Sequence, residues 1–95
     1  MSESTAYYTQ KYNKHTDSIT RVFESDQLSE ELTWHRDRYS RSVTVTDSGH
    51  GWKFQMDNEL PVDLQEGVEV FIPAGVYHRI WSGSGSLTAE ISEHR

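Results

Sequence analysis

Two short stretches carry the side chains best suited to chemistry. In Trp34-His35-Arg36-Asp37 an imidazole and a carboxylate stand two residues apart. In a strand, residues at that spacing point the same way, while Trp34, Arg36 and Arg38 share the opposite face. If the His35 face is the interior, a nitrogen and a carboxylate enter a cavity side by side. Carrying the same parity onward reaches Val43 and Val45, which supports that assignment. The other stretch is Val76-Tyr77-His78-Arg79-Ile80-Trp81, where His78 lies in line with the aliphatic Val76 and Ile80. Imidazole and carboxylate serve both proton transfer and metal coordination. Each group also has a plain structural alternative. A histidine on an apolar face can be a hydrogen-bonded core residue, and Asp37 can pair with Arg36, Arg38 or Arg41.

The elements that must position these residues read as short strands. Val68, Val70 and Ile72 alternate up to Pro73-Ala74-Gly75, which reads as a corner because proline lacks a ladder N–H and glycine accepts a positive φ. Trp52, Phe54 and Met56 form one buried face, opposite Lys53, Gln55 and Asp57. That pattern argues against Gln55 as a polar group of the cavity. Leu60, Val62 and Leu64 repeat the alternation beside Pro61, the mark of an edge strand, and Leu87, Ala89 and Ile91 close the series. Further strands are expected over 19–24 and over 32–39 and 41–46, the last two as separate strands or one long bent strand, with a loop over 25–31 and an edge strand within 1–13. Asp47 to Gly51 has turn composition, with His50 as a possible substitute ligand, and His15 is expected at the surface. Ser82 to Ser86 reads as a flexible hairpin between the last two strands, and Ser92 to Arg95 as a frayed end. Trp52, Phe54, Phe71, Tyr77 and Trp81 are expected as core and cover, or as lining of a ligand cavity or a dimer contact. Regularly spaced short strands without a helix predict an all-β barrel or sandwich.

The spacing of Gly67, Pro73, Gly75 and His78 resembles the second sequence motif of the cupin superfamily. The resemblance implies a small double-stranded β-helix, or jelly-roll, barrel whose motif histidine points inward and binds a divalent metal. The first cupin motif is matched in part. His35 falls on its first histidine and Asp37 on its second, while its glutamate falls on Arg41 or Ser42 and its leading glycine on Ser29. Gly49 or Gly51 can serve for its final glycine. The resemblance spans roughly 32–91 of a single domain, 1–95. It implies His35, Asp37 and His78 as ligands of one divalent ion, Fe, Mn, Ni or Zn, with positions left open for a small polar or anionic ligand. It also implies a homodimer.

The totals narrow the alternatives. Ninety-five residues support one core. A formal net charge of −6 argues against nucleic acid or an anionic membrane surface as partner. There is no cysteine, hence neither disulfide nor thiolate chemistry. No apolar run approaches the ~20 residues of a membrane span, and a cytoplasmic protein is the expectation. Three functions compete: a metal-binding cupin, a non-catalytic ligand-binding or accessory barrel without metal, and an Fe(II)- and 2-oxoglutarate-dependent oxygenase. The third is disfavoured, since such enzymes place a basic residue where this chain has Thr88. Whether the chain is an enzyme at all stays open at this level.

Overall fold

The computed structural model describes residues 2–4, 8–25 and 33–95. Among them are nine strands and no helix: β1 (Ser2–Ser4), β2 (Tyr8–Asn13), β3 (Ser18–Glu24), β4 (Ser40–His50), β5 (Lys53–Met56), β6 (Val62–Asp63), β7 (Glu69–Ile72), β8 (His78–Trp81) and β9 (Ser84–His94). They form two antiparallel sheets, one ordered β1-β2-β3-β9-β4-β7 and one ordered β6-β5-β8. The expected loop over 25–31 lies almost wholly outside the described residues.

The two-residue alternation seats the core between the sheets. Phe23, Val45, Trp52, Phe54, Leu64, Ile72 and Leu87 are buried together, and Tyr8, Val43, Met56 and Ile80 pack against them. Full burial of each large apolar side chain contributes about 1.5–3 kcal/mol, so this small cluster is the main source of stability. The residues between them face out. Gln55 accepts hydrogen bonds from Arg79 Nε (3.0 Å) and Trp81 Nε1 (3.1 Å) on the outer surface, away from the cavity. Phe71, Tyr77 and Trp81 are exposed as well, so of the five aromatics expected as core or cover only Trp52 and Phe54 are buried.

Four expectations change. The expected strand over 32–39 is, from Thr33 onward, irregular chain tied to β8 by an isolated bridge between His35 and His78. The expected turn at Asp47–Gly51 is mostly strand, because β4 continues to His50 and absorbs the extra residues in register shifts at Val45/Asp47 and Ser48/His50. β8 and β9 do not form a hairpin. They belong to different sheets, and the Ser82-Gly83 step carries the chain from one to the other. Nor does the end fray at Ser92, since Ser40 pairs with His94.

On the outer face of the large sheet, Glu90 accepts hydrogen bonds from Ser18, from Thr20 (2.8 Å) and from Asn13 (2.8 Å). The Ser18 bond leads in holding its carboxyl below the usual 4.5, against the opposing effect of burial. A depressed folded-state value contributes stability that is present above pH 4.5 and lost as pH falls through the lower, folded value. Glu90→Gln is therefore expected to lower stability at neutral pH and to flatten its decline between about pH 5 and pH 3. Urea titrations across that range check this, and parallel curves for the two proteins would remove Glu90 from the pH dependence.

Candidate metal centre

The corner after β7 is built as its sequence predicts and does more than turn the chain. Gly75 adopts φ 78°, and Val76 N–H donates to Pro73 O at 3.3 Å. Two further N–H groups dock on the chain opposite: Gly75 N–H donates to Asp37 O (2.9 Å) in the irregular segment and Ala74 N–H to Ser40 Oγ (3.0 Å) at the start of β4. One register step further, His35 N–H donates to His78 O (3.0 Å) and His78 N–H to His35 O (2.8 Å). Backbone pairing thus brings the two sequence stretches together.

The side chains follow. His35 Nδ1 lies 2.9 Å from Thr33 O, and His78 Nδ1 lies 2.9 Å from Val76 O. A carbonyl oxygen only accepts, so both Nδ1 atoms carry hydrogen and Nε2 is the lone-pair nitrogen of each neutral ring. The rings lie edge to face with centroids 4.3 Å apart. Asp37 Oδ2 sits 3.2 Å from His78 Nε2. Asp37 Oδ1 is 3.5 Å from Arg41 Nη1, and Arg41 Nη2 donates to Glu93 Oε2 at 3.0 Å. Burial pushes the Asp37 carboxyl up, but the His78 contact and the neighbouring Arg41 guanidinium outweigh it and hold it below 3.8. The group is therefore a carboxylate at neutral pH.

One donor atom from each of His35, Asp37 and His78 lies within 4.8 Å of the others. His78 is buried, and the other two are half-buried. Two lone-pair atoms facing each other at 3.2 Å repel unless a cation lies between them, and that cation is either a proton on Nε2 or a metal ion. The donor set fits a divalent ion: neutral imidazoles with Nδ1–H anchored to carbonyls are the usual tautomer of metal-bound histidine, and an arginine on the outer carboxylate oxygen is a typical supporting contact. The ion-pairing alternative is also realised, since Asp37 does pair with Arg41.

An open cleft of about 510 Å³ reaches the group and is lined by Tyr8, Arg21, Thr33, His35, Arg36, Asp37 and Arg41. Behind His78 lies a smaller apolar chamber of about 40 Å³, walled by core residues including Val45, Phe54 and Leu87. At the glutamate position of the first motif, Arg41 points inward and Ser42 points out to His94 (2.7 Å), so neither supplies a carboxylate. His50 pairs with Ser84 at the far end of β4 and is exposed; it is not part of the group. His15 is exposed, as expected. Sequence reasoning missed Arg21 and Glu93. Arg21 shares the parity of buried Phe23, which was the available signal, whereas Glu93 was hidden in a segment read as frayed.

No family model matches the chain, and no curated protein matches it. Solved structures do. KdgF from Halomonas sp. superposes with a TM-score of 0.76 at 15% identity, covering 100% of this chain and 88% of that one. The chain has a cupin fold. Its strands also match Fe(II) HppE (TM-score 0.64, 13% identity, 93% of this chain), of whose length they span 50%. A protein from Neisseria meningitidis matches with a TM-score of 0.66 at 13% identity, covering 97% of this chain and 89% of that one. The all-β double-stranded barrel implied by the second motif is the fold observed.

Proposed function

We propose that this chain is a metal-binding cupin in which His35 Nε2, Asp37 Oδ2 and His78 Nε2 hold one divalent ion, Fe, Mn, Ni or Zn. The observation that carries the reading is the convergence of one donor atom from each of the three side chains within 4.8 Å, with both imidazoles anchored through Nδ1 on backbone carbonyls. HppE, which shares the fold, has been solved with Fe(II) and, in complex with its substrate, with Co(II). Three protein ligands leave coordination positions open towards the cleft, where a small polar or anionic ligand enters. A bound ion would act there as a Lewis acid or oxygen-binding centre. The chain's own residues orient the ligand set: Thr33 O and Val76 O fix the imidazoles, and Arg41 steadies the carboxylate. Tyr77 is turned to the outer face beneath Arg36, 5.3 Å from its ring, and does not serve as an acid or base in the cleft.

The second reading is a binding or accessory barrel without metal. The Asp37–Arg41–Glu93 ion-pair chain favours it, because it gives Asp37 a cationic partner of its own. Elemental analysis of the protein purified without added metal distinguishes the two. Near-stoichiometric metal is expected, together with a fall in affinity of about a hundredfold for Asp37→Ala and no change for Arg38→Ala. Equal affinities for the two variants would take Asp37 out of the ligand set. The same reading keeps a homodimer, supported by the sheet edges at β1 and β7, beside which no further strand pairs among the described residues, and by exposed Phe71. Among the described residues no helix is long and apolar enough to cross a membrane.

A further inference from the structure

We propose that the cleft beside the triad recognises a carboxylate, so that the ligand of this site is a small organic acid. The inference rests on the metal-binding reading only for the place of the ligand's second oxygen. In a chain of formal charge −6, the described residues lining the cleft include three arginines, Arg21, Arg36 and Arg41, and among them one carboxylate, Asp37. Such local concentration of charge against the net charge of the molecule draws in anions.

Arg41 sets the geometry. Its Nη2 is held by Glu93 and its Nη1 faces Asp37, so the guanidinium plane is fixed from both sides. Its Nε is buried and has no hydrogen-bond partner among the described residues. A buried charged N–H of this kind calls for an acceptor oxygen. Arg21 is fixed as well, by Gln10 Oε1 at Nε (3.1 Å) and Nη2 (2.9 Å) and by the Tyr8 ring 4.0 Å away, and it forms a rigid wall of the cleft. Arg36 stands at the exposed rim. An in-plane guanidinium N–H without a partner among the described residues, in a residue that lines the cleft, suits an oxygen of a planar carboxylate. A dianion such as phosphate meets more repulsion from Asp37.

The test follows the arginine Nε–Hε signals by ¹⁵N NMR in the full chain, metal-free and loaded with Zn(II), during titration with glycolate, ethylene glycol or inorganic phosphate. Glycolate is expected to shift the Arg41 signal in both forms and to bind at least about tenfold more tightly than the neutral diol. Arg41→Lys keeps the charge but lacks the guanidinium Nε–H, and is expected to lose about tenfold in glycolate affinity in the metal-free form, where any effect on Zn(II) through Asp37 does not enter. Should that variant fail to fold, Arg36→Gln at the rim is expected to weaken glycolate about threefold without affecting Zn(II). Equal binding of diol and glycolate, tighter binding of phosphate, or variants that bind glycolate as the unmodified protein does would each overturn the assignment. Zn(II) bound without a glycolate response leaves the metal site standing and removes the carboxylate. A glycolate response in a protein that holds no Zn(II) does the reverse.

Discussion

Replacing His78 with alanine is expected to abolish stoichiometric metal retention while leaving a folded barrel. Supporting residues around a metal typically contribute ten- to a hundredfold in affinity, so loss of one of three direct ligands should exceed about a hundredfold. The residue is only 3% exposed, and its ring packs on Phe54 (centroids 5.7 Å) as well as on His35, so the truncation also opens a cavity. A loss of about 2 kcal/mol is expected from that cavity and from the hydrogen bond to Val76 O. That is a fraction of the 5–15 kcal/mol of about any domain this size, and the backbone pairing with His35 does not need the ring. Elemental analysis paired with a circular-dichroism melt reads both effects. A variant that keeps its metal, or one that unfolds while the unmodified protein never held any, would make His78 a core histidine and nothing more.

Gly83→Ala is expected to be among the most damaging small substitutions away from the site. A Cβ at this position would stand 2.2 Å from His50 O and 2.5 Å from Trp52 N. Both are backbone atoms, which cannot rotate aside, one at the end of β4 and the other in the connection to β5. Relief requires the start of β9 to move off the end of β4, where Ser84 pairs with His50 and Trp52 Nε1 donates to Ser84 O at 3.3 Å. Overpacking against rigid backbone should cost about 3 kcal/mol or more. For a domain of this length that lowers the melting temperature by about 12 °C or more. Gly67→Ala provides the comparison, because nothing lies within 4 Å of its Cβ and only the positive φ opposes the side chain, at about 1–2 kcal/mol. Thermal melts of the two variants decide, and a Gly83→Ala melt close to that of Gly67→Ala would show that the two sheets part easily there.

What the sequence disclosed, it disclosed through parity and turn chemistry. Gly67, Pro73, Gly75 and His78 specify a strand, a corner and a returning strand by local rules alone, and that part of the barrel matches. The inward pairing of His35 with Asp37 followed from the two-residue period even though the segment is not a regular strand, because one bridge is enough to orient it. Glycines misled where their reason is contact across the fold. Gly49 and Gly83 read as loop residues, yet each marks a close approach of backbones, visible only once β4 and β9 are adjacent. Arg41 was legible as a possible partner of Asp37, but its second partner Glu93 lies in the last strand, and no local pattern links the two.

The reciprocal hydrogen bonds between His35 and His78 make sheet register and ligand geometry a single degree of freedom. If that pairing slips by one residue, side chains turn to the opposite face and the donor atoms separate. Misregistered chains could not assemble the triad, so an ion held at this site would act as a proofreading signal, retained only by molecules whose strands have found their proper neighbours.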